Sequence, residues 1–271
     1  MRNTTPLLAA AALIIPTAAL ADGKTAVTPA LFDTPVYSQN FDSLSNGSGT
    51  STTLPAGFQI VELGSGSAAD GRYAAGTGSS NAGNTYSFGA AGSTERALGS
   101  LGSGSVAEIR YGGLFTNQLG GTITSLAFAF RAEQWRAGNS PDDGLTFEFS
   151  SDATQLDNGS WMEVSALNFA PLVLTGNTAL NGNATFRPIS GIVDALNIGA
   201  GQNFGFRFRD FNSTGSDHGL AIDDLSITAS LAPVAGAVPE PSTWALMLLG
   251  FGAIGSAMRR RRSVAGAPLT A

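Results

Sequence analysis

Hydrophobic and polar residues alternate along the chain between residues 35 and 230. No helical period is visible there, and a period of two is typical of strands with one buried face. The clearest segments place leucine or phenylalanine at every second position: Leu126-Phe128-Phe130, Leu145-Phe147-Phe149 and Phe204-Phe206-Phe208.

Clusters of Gly, Ser, Asn and Asp separate the alternating segments, as turns do. The pattern predicts ten to twelve strands, near 36–42, 57–63, 85–90, 95–101, 105–117, 122–137, 144–150, 162–169, 184–193, 204–211 and 219–229. Many short strands without intervening helices indicate an all-β fold, an antiparallel two-sheet β-sandwich of the jelly-roll type over residues 22–230.

The N-terminus has the layout of a secretory signal peptide over residues 1–21. Arg2 precedes an apolar stretch from Leu7 to Ile15, and Ala19-Leu20-Ala21 supplies the small residues that signal peptidase requires. Ala19 and Ala21 are therefore the predicted cleavage residues. The alternative is a buried N-terminal helix.

The C-terminus predicts a linker at 231–238, a transmembrane segment at 244–258 and a cytoplasmic tail at 263–271. Fifteen helical residues span roughly 22 Å, less than the ~30 Å hydrocarbon core of a bilayer, although Trp244 and the arginines extend the reach. Four arginines, Arg259, Arg260, Arg261 and Arg262, follow the apolar run and favour a cytoplasmic C-terminus.

Residues 239–262 resemble the PEP-CTERM sorting signal. The resemblance rests on Pro239-Glu240-Pro241, the apolar run and the arginine cluster, and Trp244-Ala245 is similar to the PEPxxWA subtype. It implies recognition by an exosortase, a membrane enzyme, and transfer of the protein from the inner membrane to the cell surface or a biofilm matrix. An ordinary single-span anchor is the alternative.

The charge of the central region excludes one class of partner. Residues 22–238 contain 9 basic and 19 acidic residues. Such a surface repels a phosphate backbone, so nucleic-acid binding is not expected. The chain has no cysteine, which excludes disulfides and thiolate chemistry.

Two stretches resemble MAM-type and carbohydrate-binding-module jelly rolls, the concanavalin-like group. Phe41-Asp42-Ser43-Leu44 ends the first predicted strand, and Ala221-Ile222-Asp223-Asp224-Leu225 lies in the last. The resemblance implies that these strands are neighbours and that the domain is a structural or binding module, with polysaccharide as a candidate ligand.

A concanavalin-like glycan hydrolase or lyase is the alternative, but the sequence carries little sign of it. His218, the single histidine, is expected in a loop before the last strand. Glycosidases need two facing carboxylates. Glu133, Glu148, Asp142 and Asp143 are available, without the same-face pattern of that group, so we expect no enzyme.

The aromatic residues provide candidates for a sugar-stacking platform. Trp135 is the first candidate because it lies between Gln134 and Arg136. Packing beneath an adjacent loop is the alternative, since most tryptophans are largely buried. The other candidates are Trp161, Tyr73, Tyr86 and Tyr111.

A structural Ca²⁺ site is predicted from Asp42, Asp223 and Asp224. The apolar phase of Leu220 and Ile222 changes at Leu225, so a β-bulge is expected at Asp223-Asp224. Burying two adjacent carboxylates in a core strand is unfavourable unless a cation or hydrogen bonds offset the loss of hydration. Carboxylate oxygens are the hard ligands that calcium prefers. Alternatively, Asp223 faces solvent and Asp224 accepts hydrogen bonds from a loop.

Overall fold

A computed structural model describes residues 23–233 and 241–264, and the chain divides into two compact units between Ala232 and Pro233. The signal peptide with Ala19 and Ala21, most of the linker, and residues 265–271 lie outside the described residues. The first unit is formed by strands, as predicted, and the second contains one helix.

The described residues form fifteen strands, a 3-10 turn at Ser165–Leu167 and one α-helix. In chain order they are β1 (Ala30–Phe32), β2 (Val36–Gln39), β3 (Thr50–Ser51), β4 (Phe58–Leu63), β5 (Tyr73–Gly76), β6 (Asn84–Phe88), β7 (Ala97–Leu101), β8 (Glu108–Asn117), β9 (Ile123–Ala137), β10 (Leu145–Ser150), β11 (Met162–Glu163), β12 (Thr178–Ala179), β13 (Phe186–Val193), β14 (Asn203–Phe211), β15 (Gly219–Leu231) and α1 (Pro241–Val264).

The strands form two sheets. The first sheet has the order β1-β8-β14-β10-β11, with β4 also paired to β8. The second has the order β12-β9-β15-β7-β6-β5-β3, with β13 paired to β9 and β2 paired to β15. Most pairs are antiparallel, but β1–β8 and β5–β6 are parallel. The sheets are therefore mixed, which corrects the purely antiparallel arrangement predicted.

The alternating phenylalanines form the core between the sheets. Phe128 of β9 contacts Phe147 of β10 with ring centroids 5.0 Å apart, and Phe206 of β14 at 5.5 Å. Each of these side chains is at most 1% exposed. Burying one phenylalanine contributes about 1.5–3 kcal/mol, so this interface accounts for the packing of one sheet on the other.

The first and last predicted strands are neighbours, as the resemblance implied. β2 pairs antiparallel with β15, with Gln39 opposite Leu225 and Val36 opposite Thr228. On its other edge β15 pairs with β9 along almost its whole length, and the register shifts after Asp223. The predicted bulge is confirmed.

Helix α1 contains the residues that were predicted to cross the membrane, 244–258. No helix in the described part of the chain is both long and apolar enough to span a bilayer.

Candidate functional site

The segment that resembles the PEP-CTERM signal, residues 239–262, is described only in part. Pro239 and Glu240 lie outside the described residues, whereas Pro241 is the first residue of α1. Proline is favoured at a helix start because its missing N–H would be unpaired there. Trp244 lies in the first turns of α1, and Arg259–Arg262 lie near its end.

Three carboxylates meet on the outer face of the second sheet. Oxygens of Glu95, Glu133 and Asp223 all lie within 4.8 Å of one another. Glu133 lies on β9 opposite Ala221 of β15, and Asp223 lies opposite Arg131, so Glu133 and Asp223 are diagonal neighbours on one face. Glu95 reaches them from the segment before β7.

The bulge determines which of the two adjacent aspartates joins this acidic triad. Asp224 has a φ of 48°. Its carboxylate is 56% exposed and lies 3.7 Å from Arg131, whereas Asp223 is only 3% exposed. The alternative in which Asp223 faces solvent is therefore wrong. The Asp223 Oδ1 instead accepts a 2.7 Å hydrogen bond from the Asp224 amide.

The neighbouring residues offset the negative charge of the triad only in part. Trp135 Nε1 donates to Glu133 Oε2 at 2.9 Å, and Asn183 Nδ2 donates to Glu95. Arg131 Nη2 lies 3.2 Å from Glu133 Oε1, but that oxygen accepts no hydrogen bond. Arg131 thus pairs with Glu133 and with the exposed Asp224, and none of the ion pairs between described residues includes Glu95 or Asp223.

Burial perturbs the pKa of two members of the triad. Desolvation raises the pKa of Glu133 to about 7, against the opposing effects of Trp135 and Arg131. Desolvation and the nearby Asp224 and Glu133 charges raise the pKa of Asp223 to about 8, although the Asp224 amide opposes the shift. The triad therefore binds protons near neutral pH unless another cation replaces them.

Asp42 and Asp224 are not part of this group, which corrects the predicted ligand set Asp42, Asp223 and Asp224. Asp42 accepts hydrogen bonds from the Arg96 amide at 3.1 Å and Asn40 Nδ2 at 2.7 Å. Within residues 23–233 and 241–264, the acidic group close enough to share a metal ion consists of Glu95, Glu133 and Asp223.

Trp135 is not a sugar platform, because it is 2% exposed. Its ring stacks on Phe88 with centroids 6.0 Å apart, and Gly182 of the adjacent loop lies directly against the indole nitrogen. The alternative, packing beneath a loop, is the one observed. Tyr73, Tyr86 and Tyr111 are buried as well, which leaves Trp161.

Trp161 is half-buried on the outer face of the first sheet. The Arg207 guanidinium lies 4.2 Å from its ring centre. Arg207 Nε also donates to Glu148 at 2.6 Å, and Arg209 bridges Glu148 and Glu108 at 2.8 Å each. We call this ladder of charged side chains with its tryptophan the Trp161 platform.

Glu108 is held in its ionised form on this platform. Hydrogen bonds and charges from Arg110 and Arg209 lower its pKa, although burial opposes the shift. A general acid for glycoside hydrolysis must instead retain its proton.

His218 is a loop residue, as predicted, and it is fully buried. Its Nδ1 accepts the Gly138 N–H at 2.8 Å, so Nε2 carries the proton and donates to the Ser140 carbonyl at 3.0 Å. Its amide donates to Asp143. The histidine therefore joins two loops at one end of the sandwich.

The sequence did not single out Glu95 as a ligand, and it suggested Glu133 only as a candidate catalytic carboxylate. Glu133 could have been found, because it follows Arg131 and precedes Trp135 on the polar face of an alternating strand. Glu95 lies in a loop, where spacing gives no direction for the side chain.

The family model of the PEP-CTERM protein-sorting motif matches residues 237–262. A search of curated proteins gives no match.

Solved structures similar to this chain include bacteriophage, bacterial adhesin and carbohydrate-binding domains. The enzymatically active domain of bacteriophage CBA120 tailspike protein 4 is 14% identical, with a TM-score of 0.37, over 69% of this chain and 21% of that one. The chain thus spans about a fifth of the length of that domain.

Two other similar structures are matched over most of their own length. The K3 cleaved adhesin domain of Lys-gingipain from Porphyromonas gingivalis is 17% identical, with a TM-score of 0.37, over 64% of this chain and 93% of that one. The CBM22-1 xylan-binding domain from Paenibacillus barcinonensis Xyn10C is 10% identical, with a TM-score of 0.31, over 73% of this chain and 95% of that one.

Proposed function

We propose that this protein is exported and that an exosortase processes its C-terminal segment, delivering the β-sandwich to the cell surface or extracellular matrix. The match to the PEP-CTERM motif at residues 237–262 carries this proposal. Signal peptidase would cut after Ala21, leaving an inner-membrane intermediate with the sandwich outside and the arginines in the cytoplasm. Trp244 and Ala245 support the PEPxxWA subtype.

Replacement of Pro239, Glu240 and Pro241 by alanine tests the sorting step. We expect the variant to accumulate in the inner membrane with its tail intact, as the wild type does in a cell lacking the exosortase. Pro268→Ala, which lies beyond the matched motif, is the control and should be sorted normally. Normal sorting of the triple-alanine variant would refute the proposal.

The sandwich itself we infer to be a polysaccharide-binding module that uses the Trp161 platform. Stacking on an indole beside fixed hydrogen-bonding groups suits a sugar ring, which has apolar faces and polar edges. Binding is favoured over the alternative of a concanavalin-like hydrolase or lyase because Arg209 engages both nearby carboxylates, Glu108 and Glu148.

A glycan array with the Trp161→Ala variant tests this binding. We expect at least about a tenfold loss of affinity, equivalent to about 1.4 kcal/mol, for any glycan the wild type retains. Phe186→Ala is the matched control, because Phe186 is also an exposed aromatic stacked on an arginine, but in the second sheet. Equal loss in both variants would refute the assignment. Cleavage of a bound glycan, lost in Glu148→Gln, would favour the enzyme.

Finally, we propose that the triad of Glu95, Glu133 and Asp223 binds a structural Ca²⁺. Three hard carboxylate oxygens within 4.8 Å of one another suit this ion, which would neutralise charge that Arg131 leaves uncompensated. The ligands come from β9, β15 and the segment before β7, so the ion would join three parts of the second sheet.

Thermal melting in EDTA and in millimolar Ca²⁺ tests this site. At a concentration of 100 Kd, Ca²⁺ should stabilise the protein by about 2.7 kcal/mol, which raises Tm by roughly 5–10 °C. Glu133→Gln should abolish this shift, whereas Asp42→Asn, outside the triad, should retain it. An unchanged wild-type Tm would mean that protons alone neutralise the triad.

A further inference from the structure

Arg96 is a buried cation that forms no ion pair with a described residue. The residue is 2% exposed, and none of the ion pairs between described residues includes it. Burial lowers its pKa, although the Glu95 charge opposes the shift. A guanidinium remains protonated in proteins, so a full positive charge stays within this part of the second sheet.

Oxygen atoms of the protein occupy most of the guanidinium donors. Nε donates to Ser87 Oγ at 2.8 Å, and Nη2 donates to the carbonyls of Ser87 and Gly76. Nη1 makes one long hydrogen bond, 3.5 Å to the Ala90 carbonyl. Of the five N–H groups of arginine, one is left without an acceptor in the described part of the chain.

Arg96 also lines an open surface cavity of about 280 Å³. Three segments form its wall, residues 46–48, 75–77 and 90–92, and they contribute the polar side chains of Asn46, Ser48 and Thr77. Pockets for drug-sized ligands usually measure about 300–1,000 Å³. This cavity therefore has room for one sugar residue or one small anion.

We propose that this cavity binds the carboxylate of a single uronic acid residue in a polysaccharide that is otherwise mostly neutral. A polymer with a charge on every residue would be repelled by the excess of acidic residues in the domain, as a phosphate backbone would. The proposal rests on the polysaccharide-binding function proposed above and specifies the substrate class. A carboxylate would compensate the Arg96 charge and accept its remaining N–H, and a charge-assisted hydrogen bond of this kind is strong. Amide and hydroxyl groups at the cavity wall suit the sugar hydroxyls.

Titration calorimetry of the full chain in detergent with galacturonic acid, and with galactose as the neutral counterpart, tests the ligand class. We expect galacturonic acid to bind and galactose to bind at least tenfold more weakly. In a second titration inorganic phosphate is the competitor, and we expect it to displace galacturonic acid poorly. Equal binding of acid and neutral sugar, or displacement by equimolar phosphate, would overturn the proposal.

Two glycine substitutions test binding at the cavity without disturbing the fold. A Cβ at Gly47 would contact only Ser45 Oγ at 3.8 Å, so Gly47→Glu places a negative charge at the cavity without backbone strain. Gly104→Glu is the matched control, because a Cβ there meets nothing within 4 Å and Gly104 lies outside the cavity. We expect at least a tenfold loss of galacturonic acid binding in Gly47→Glu alone.

Arg96→Lys provides a second readout, since lysine keeps the charge but loses the forked donors. It should also bind galacturonic acid more weakly. If both Gly47→Glu and Arg96→Lys bind like the wild type, the cavity is not the site. If they lose the acid but retain neutral glycans through Trp161, the platform and the cavity are separate sites. Trp161→Ala should lose neutral glycans and retain galacturonic acid, so failure of the platform and failure of the cavity give different results. Loss of galacturonic acid binding in Trp161→Ala would place the acid at the platform and overturn the cavity proposal.

Discussion

Asp143, Asp210 and Asp217 lie at one end of the sandwich with exposures of 5%, 0% and 5%. None of the described ion pairs includes them. Ser100 Oγ donates to Asp210 at 2.6 Å, and the His218 amide donates to Asp143. Burial raises the pKa of all three, to about 7 for Asp217, and the charge of Asp143 adds to the effect on Asp210 and Asp217.

Because the folded protein raises the pKa of these aspartates, we expect its stability to fall as the pH rises. Between the unfolded pKa near 4 and the higher folded pKa, the native state holds protons that the unfolded chain has released. The free energy of unfolding should therefore decrease from about pH 4 to pH 8 in EDTA. Thermal melting across this range measures it, and a Tm that rises over the same interval would contradict the prediction.

Asp210→Asn should remove much of this dependence, because an amide cannot ionise. At pH 8 we expect its Tm to exceed that of the wild type by roughly 3–6 °C, corresponding to about 1–2 kcal/mol. At pH 4, where the wild-type carboxyl is protonated, the two should agree. Asp142→Asn is the control, because Asp142 is exposed and should leave the pH profile unchanged.

Single residues were predicted less well than the strands that carry them. Trp135 has polar neighbours in sequence, yet it packs beneath the loop that contains Gly182. Asp42 was grouped with Asp223 because their strands are adjacent, and the strands are adjacent, but the Asp42 side chain binds the Arg96 amide. The alternation of polar and apolar residues shows on which face of a strand a side chain lies, but it does not show which loop covers that face.

At the scale of elements, the bulge in β15 depends on one unusual backbone conformation. Asp224 has φ 48°, a region that Asp and Asn adopt far more readily than β-branched residues. Asp224→Val should therefore destabilise the protein by about 1–2 kcal/mol in urea denaturation. Asp224→Gly should be neutral or stabilising.

Thr228→Val is the matched control for this effect. Thr228 is an exposed position of the same strand, opposite Val36, with ordinary extended backbone. We expect a change within about 0.5 kcal/mol there. Loss of the exposed Asp224–Arg131 ion pair should contribute little to the effect at position 224. Equal destabilisation at positions 224 and 228 would therefore mean that the bulge conformation does not cause the loss of stability in Asp224→Val.

All of the predicted strand segments contain a strand, and the reason is physical. Half-buried strands of five or more residues repeat buried side chains often enough to show a period, as β9, β10 and β14 do. The missed strands β1, β3, β5 and β12 have two to four residues, too few for a period to appear. Segment 162–169 is mostly not strand, because β11 ends at Glu163 and a 3-10 turn follows.

For the whole molecule, the sequence was most informative where function resides in a contiguous segment. The sorting motif at 237–262 is read from neighbouring residues. The acidic triad and the Trp161 platform instead combine residues from distant strands and loops, and they exist only once the register of β9, β15, β10 and β14 is fixed. Such sites cannot be derived from one sequence by spacing.

The intact mass of the protein recovered from the surface or matrix of wild-type cells tests the central claim, sorting by an exosortase, most directly. We predict a chain that begins near Asp22, ends within residues 239–243 and lacks Arg259–Arg262. A surface protein that retains the complete C-terminus through Ala271 would contradict the proposal and favour an ordinary membrane anchor.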